Sequence, residues 1–300
     1  MKALLLAGIA LSAMTVGANA QTYVLGMKGP GAGNPFWAAV EAGAIEAGEE
    51  NGVEVIVVAP PQESDVQSQI NQIEDLIAQG VDGIALAPTD PNALAPVVDA
   101  AIAQGIPVVF VDTQGTNEGV SFIGTNNEVG AALAAEYMCE NLPEGADVAI
   151  LQGLISQSTG QARATGAHEG LEACGLNIVA EQPANWDRAE GLSVTETILA
   201  GNPNIAGIFG SNDNMALGAV EALKQAAMLD NVMVVGFDAN PDAANSILAG
   251  EMTASIAQAP GNMGKFAIES LIALSNGETI EDWVDTGTVL VDASNAAEYQ

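Results

Sequence analysis

The feature that most constrains this chain is a regular alternation of short apolar runs with longer helix-forming stretches, repeated almost from end to end. Runs of four to six apolar residues are too short for helices. Their unbroken hydrophobicity, with no polar alternation, is that of parallel strands buried on both faces. Segments 23–27, 53–58, 83–87 and 107–111 are read as such strands, with helices over 35–51, 65–79 and 94–104 between them. In the second helix Val66, Ile70, Ile73, Leu76 and Ile77 fall on one face at helical spacing. Ala78-Gln79-Gly80-Val81 and Ala103-Gln104-Gly105-Ile106 repeat one punctuation, each with a glycine suited to the left-handed turn that ends a helix.

A second series follows, with strands over 147–151, 178–181, 207–210 and 232–237 and helices over 127–141, 161–174, 188–200 and 213–227. Alternating strands and helices joined by right-handed crossovers make a doubly wound parallel sheet, so two series predict an α/β fold with two such lobes. No Gly/Ser- or Pro-rich tether separates them, which predicts lobes joined by chain crossings. Segment 254–291 offers strand, helix, strand, enough for the chain to revisit both.

Residues 1–20 read as an export signal. Lys2 is followed by an apolar stretch over 3–18, and Ala18-Asn19-Ala20 has the small-x-small form of a cleavage site. The stretch is short for a membrane span, and no cysteine stands at the cleavage point for a lipid. The expected product starts at Gln21 and works in the periplasm. It retains five basic residues against 38 acidic ones, a net of −33. Such a chain repels phosphate backbones and anionic lipid, which excludes nucleic-acid and membrane-surface partners. A hydrophobic content of 49% is ample for large cores. Cys139 and Cys174 each fall near the end of an expected helix. In an oxidising compartment such a pair forms a disulfide more often than a metal site, with two buried free thiols as the alternative.

Ligands of open α/β sheets bind beyond the carboxyl ends of the strands. The residues there are Lys28 and the loop to Asn34-Pro35-Phe36-Trp37, then Asp112-Thr113, the stretch from Gln157 to Arg163, Trp186, Asn212-Asp213, Asp238 and Gln258. Carboxylates that accept from hydroxyls, amides that do both, cations that donate and aromatic faces suit a polyhydroxylated ligand. Two of the five remaining basic residues, Lys28 and Arg163, stand at strand mouths. Read locally, Asp213 is a helix cap, Asp238 can cap the helix that starts near Pro241, and His168 has no role.

Asn34-Pro35-Phe36-Trp37, Gln182-Pro183-Ala184-Asn185-Trp186-Asp187-Arg188, Ser211-Asn212-Asp213-Asn214-Met215-Ala216-Leu217-Gly218-Ala219, Val234-Val235-Gly236-Phe237-Asp238 and Ile256-Ala257-Gln258 resemble the periplasmic ribose-binding protein and its pentose- and hexose-binding relatives, in order along the chain. The resemblance implies the type I periplasmic-binding fold: two lobes, three crossings and a cleft that closes about a hinge. The expected lobes are 21–124 plus 259–285 and 125–258 plus 286–300. The resemblance also implies a monomer that delivers a sugar to the permease of an ABC transporter, or presents it to a sensor. Family sugar ligands carry over to Asn34, Phe36, Trp37, Asp112, Arg163, Trp186, Asn212, Asp238 and Gln258. Two positions depart from the ribose pattern: Thr113 follows Asp112 where an arginine is expected, and Lys28 is basic. Both are kept as ligand contacts, and they point to another pentose, a hexose, a deoxy-sugar or a polyol.

An enzyme is not expected. One histidine and no nucleophile–base–orienter set leave acyl transfer unsupported, and no cofactor or metal motif is present. Asp112 and Asp238 across a cleft allow glycoside hydrolysis only on paper. The competing binding reading is a small cationic amine held by the carboxylates and aromatics, against which Lys28 and Arg163 both argue.

Overall fold

The computed structural model describes residues 20–300, so the expected export signal, apart from Ala20, lies outside the described residues. The first series runs β1 (Thr22–Gly26), α1 (Pro35–Asn51), β2 (Glu54–Val58), α2 (Val66–Gln79), β3 (Gly83–Leu86), α3 (Pro91–Ala103), β4 (Val108–Val111) and β5 (Phe122–Gly124). The second runs α4 (Asn127–Asn141), β6 (Asp147–Gln152), α5 (Ser158–Ala173), β7 (Asn177–Pro183), α6 (Arg188–Gly201), β8 (Gly207–Gly210), α7 (Asp213–Gln225), β9 (Met233–Asp238), α8 (Pro241–Leu248) and β10 (Ala254–Ala257). The chain ends with α9 (Pro260–Ser275), β11 (Trp283–Asp285) and β12 (Val289–Asp292).

Two six-stranded sheets result, ordered β11-β5-β4-β3-β1-β2 and β12-β10-β9-β8-β6-β7. All pairings are parallel except β10 with β12. Each sheet is covered by apolar side chains on both faces, around Tyr23, Leu25, Ile84 and Phe110 in the first and Ile150, Ile208, Phe209 and Val234 in the second. The uninterrupted hydrophobic runs require that double burial. The doubly wound α/β expectation holds.

Three details differ from the sequence reading. β5 was not foreseen, because Phe122–Gly124 is only three residues long and has no helix before it. The final segment carries two strands after α9 instead of one, β11 on the first sheet and β12 on the second. Asp213 is not a cap: Asn212 caps α7, accepting from the Met215 N–H at 2.9 Å, and Asp213 is wholly buried one residue inside.

Helix ends obey local chemistry. Seven helices start behind an Asn or Asp whose side chain accepts from the first turn, each cap contributing about 1 kcal/mol. Between helices, backbone presses on backbone: a Cβ at Gly264 of α9 would run into the Val40 carbonyl of α1, and one at Gly166 of α5 into the Glu128 carbonyl of α4. α4 packs on α5 and on the second sheet, whereas α9 packs on α1 and on the first. The chain therefore passes between the sheets three times, at 125–126, 258–259 and 286–288. Among the described residues no helix is long and apolar enough to cross a membrane.

Cys139, in the last turn of α4, is bonded to Cys174, just past α5, with 6.0 Å between their Cα atoms. The bond ties the two helices at the sheet edge opposite the strand C-termini. It closes a loop of 35 residues, which by the loop-entropy argument contributes about 3–4 kcal/mol. A Cys139→Ala/Cys174→Ala variant should lose that much, read as a lower urea midpoint with a somewhat steeper slope, since the uncrosslinked unfolded chain exposes more surface. An unchanged midpoint would show that the cross-link constrains little. Gly264→Ala should cost about 1–3 kcal/mol by overpacking the α1–α9 contact, measured the same way.

Candidate functional site

The C-terminal ends of both sheets face a common cavity. Nine of the eleven positions expected from the sequence line it: Lys28, Asn34, Phe36, Trp37, Asp112, Arg163, Trp186, Asn212 and Asp238. Each is delivered by the end of a strand or the start of a helix. Asn34 caps α1, accepting from the Phe36 N–H at 3.2 Å, which sets Phe36 and Trp37 edge to face at 5.2 Å. Asn212 caps α7 and donates to the Trp186 carbonyl at 3.3 Å. Trp186 lies against Gly153, where any Cβ would meet the indole.

Among the described residues six non-glycines have positive φ, and five of them stand at these mouths: Asp112 (60°), Asn185 (50°), Trp186 (67°), Asp238 (116°) and Ala239 (49°). Backbone held in this region costs of order 1–3 kcal/mol per residue and persists where the surroundings enforce it. Here it turns carboxylates and an indole away from the strand line into the cavity.

The expected residues Thr113 and Gln258 stand behind the lining. The Thr113 hydroxyl donates to Asp112 Oδ2 at 2.7 Å, and Gln258 Nε2 donates to Asp238 Oδ1 at 2.6 Å. Each orients a carboxylate that does face the cavity. Two lining residues, Glu63 and Thr159, were not singled out. Thr159 lies within the 157–163 stretch noted at the sixth strand. Glu63 sits five residues beyond β2, past the positions next to strand ends; the signal for it was that the 59–65 loop opens on the same edge.

Opposite charges meet in pairs. Lys28 Nζ lies 3.1 Å from Asp112 Oδ2, and Arg163 Nη1 lies 3.4 Å from Asp238 Oδ1. Arg163 is further fixed by Asn127 Oδ1 and the Ser211 carbonyl, both accepting at 2.8 Å, and by the Phe237 ring 3.8 Å beneath it. Lys28 donates across the cavity to Gln157 Oε1 at 2.9 Å, which also accepts from Trp186 Nε1 at 2.9 Å. Trp37 Nε1 donates to Glu63 Oε1 at 2.8 Å. A second contact joins the two sides: Ser158 Oγ accepts from the Gln114 N–H at 3.0 Å and donates to its carbonyl at 3.1 Å.

Burial works against the acids. It raises Asp238 to about 6, with Arg163 and the Gln258 hydrogen bond pulling the other way. Burial also raises Glu63, offset by Lys28 and the Trp37 hydrogen bond. Asp213 is driven well above the carboxylate range by burial and by the nearby Asp238 charge, although the Ser255 hydroxyl and the Asn240 N–H oppose this. The tryptophan faces with a ring of donors and acceptors can grip a small polar molecule with both apolar and hydrogen-bonding surfaces. The described residues contain no group of three or more His, Cys, Asp or Glu placed to hold a metal.

Known proteins share this fold. The periplasmic binding protein domain matches residues 25–279. The ribose import binding protein of Bacillus subtilis is 34% identical over 264 residues, covering 88% of this chain and 85% of its own. A periplasmic solute-binding protein of an ABC transporter from Actinobacillus succinogenes, with bound D-allose, superposes with a TM-score of 0.88 at 31% identity, over 93% of this chain and 100% of its own. The Caulobacter myo-inositol binding protein, bound to myo-inositol, does so with a TM-score of 0.87 at 31% identity, over 94% and 96%. With that coverage and the same fold, the chain belongs to the periplasmic binding proteins.

Proposed function

We propose that the protein captures an uncharged monosaccharide or cyclic sugar alcohol between its lobes and delivers it to the permease of an ABC transporter. The observation that carries this reading is charge pairing inside a sheltered, aromatic-walled cavity. Both cations are paired with carboxylates at 3.1 and 3.4 Å. The third lining carboxylate, Glu63, accepts from the Trp37 indole N–H at 2.8 Å and lies 3.9 Å from Lys28, so the site offers many hydrogen-bonding atoms and no cation without a carboxylate partner. That chemistry suits neutral hydroxyls, which donate to Asp112 and Asp238 and accept from Asn212, Asn34 and Arg163. Phe36, Trp37 and Trp186 would cover the C–H faces of a ring. The relatives named above, described as binding ribose, D-allose and myo-inositol, support the same class. As a transport component the protein is a binder and not an enzyme.

The lobes in this reading are 21–124 plus 259–285 and 125–258 plus 286–300, hinged at the three crossings, and the ligand favours the closed arrangement. Thr113 and Gln258 act as positioning residues for Asp112 and Asp238. The mature chain begins at Gln21, after signal cleavage behind Ala20.

A thermal-shift screen of the mature protein against pentoses, hexoses, deoxy-sugars and polyols tests the class. A true ligand at a thousandfold excess over Kd stabilises by about 4 kcal/mol. A panel without any shift would remove the carbohydrate reading. Asp238→Ala should weaken the best ligand by roughly 2–4 kcal/mol, since it strands Arg163 and ligand hydroxyls alike; unchanged affinity by calorimetry would take Asp238 out of the site.

The raised Asp238 also sets a pH dependence. Hydroxyls that donate to the carboxylate favour its ionised form, so affinity should be highest above pH 6. Below about 6 it should fall roughly tenfold per pH unit, and Asp238→Asn should flatten the profile. The sign is opposite for the stability of the protein alone. Because the folded value lies above the usual 3.8, this group's stabilisation is full below pH 3.8 and is lost as pH rises through 6.

A further inference from the structure

Lys28 is only 3% exposed, and its ammonium has the complete environment of a bound cation. Its three N–H donors have three close acceptors: Asp112 Oδ2 at 3.1 Å, Gln157 Oε1 at 2.9 Å and Thr159 Oγ1 at 3.4 Å. Glu63 adds a carboxylate oxygen at 3.9 Å. Two indoles complete the enclosure, with ring centroids 5.6 Å (Trp37) and 5.7 Å (Trp186) from Nζ. Aromatic faces with a carboxylate and carbonyl-type oxygens are what recognises an alkylammonium ligand. The cage draws on both lobes, since Asp112, Glu63 and Trp37 come from the first sheet's edge and Gln157, Thr159 and Trp186 from the second's.

We propose that Lys28 determines specificity as a resident ammonium: it fills the cation cage of the cleft from within, so that the site takes neutral polyhydroxylated ligands and rejects their amino derivatives. The proposal rests on the carbohydrate reading above and deepens it. Arg163 is not the cation of this cage: its Nε and Nη1 bond Asn127, the Ser211 carbonyl and Asp238, none of which is a partner of Lys28. A ligand amine in the same cavity would lie a few ångströms from Lys28 and find its best acceptors already used. Repulsion between two cations about 5 Å apart, at the effective dielectric of such sites, corresponds to about a hundredfold loss of affinity. Without the lysine Asp112, Gln157, Thr159 and the Trp37 face lose their cation, while Arg163 stays 5.5 Å from the Trp186 ring, and the preference for neutral ligands should shrink or invert.

Two measurements test this. The first is calorimetry of wild type, Lys28→Ala and Lys28→Met with D-ribose, D-allose, D-arabinose and myo-inositol, each beside its monoamino counterpart. Wild type should bind a neutral compound about a hundredfold more tightly than the matching amine, and Lys28→Ala should cut that ratio at least tenfold. Wild type binding an amine within threefold of its neutral partner, or Lys28→Ala keeping the wild-type ratio, would overturn the proposal. If wild type binds only the amino compounds, Lys28 is no barrier and the binding-protein reading survives. If it binds nothing in the panel, the carbohydrate reading fails and takes this proposal with it.

The second measurement needs no sugar. n-Propylammonium has the atoms that Lys28→Ala deletes, so at millimolar concentration it should raise the melting temperature of Lys28→Ala but not of wild type or Lys28→Met. Equal shifts in all three, or none in Lys28→Ala, would overturn the cage.

Discussion

A charge removed from water must find its partners inside the protein, and this constraint organises the cleft. Lys28 and Arg163 are 3% and 4% exposed. Leaving either unpaired would cost several kcal/mol, so each collects a carboxylate, a neutral acceptor and an aromatic face. Arg163 finds its partners around the second sheet alone, whereas those of Lys28 come from both sheets. Satisfying Lys28 therefore requires Gln157 of one lobe to meet Asp112 of the other, and the same contacts that neutralise the cation bring the lobes together.

The remaining basic residues do different work. Arg188, Lys224 and Lys265 pair with Asp242, Glu251 and Glu50 at 3.6, 2.8 and 2.7 Å on the surface, where exposed pairs contribute at most about 1 kcal/mol. Against 38 acids they leave a strongly anionic exterior. Self-repulsion among those carboxylates is screened by salt, whereas the buried pairs of the cleft are screened far less. One protein thus carries two electrostatic regimes, a solvated anionic shell and a compensated interior.

Most of the fold was legible because local rules agree with the global ones. Buried parallel strands need continuous apolar runs, and Gly80 and Gly105 adopt the left-handed φ of 77° and 82° expected after helices α2 and α3. What escaped was either too short or too close to a competing rule. β5 has three residues, fewer than any periodicity can register. Asn212 and Asp213 are adjacent and both are good caps; only the descent of Asp213 onto the Ser255 hydroxyl and the Asn240 N–H, at 2.6 and 2.8 Å, decides between them. Asp238 likewise yields the capping of α8 to Asn240.

Sequence alone determined the alternation of strands and helices, the existence of two sheets, and which residues stand at strand ends, because those properties depend on neighbours a few positions away. It also placed a lysine and an arginine at those ends. Only the tertiary structure decided that Glu63 and Thr159 join the lining while Thr113 and Gln258 stand behind it. Only the tertiary structure brought Gln157 within 2.9 Å of Lys28 across 129 residues of chain. The physical reason is reach: periodicity and capping act within a turn or a strand, whereas the partner of a buried charge is chosen by where separate sheets converge.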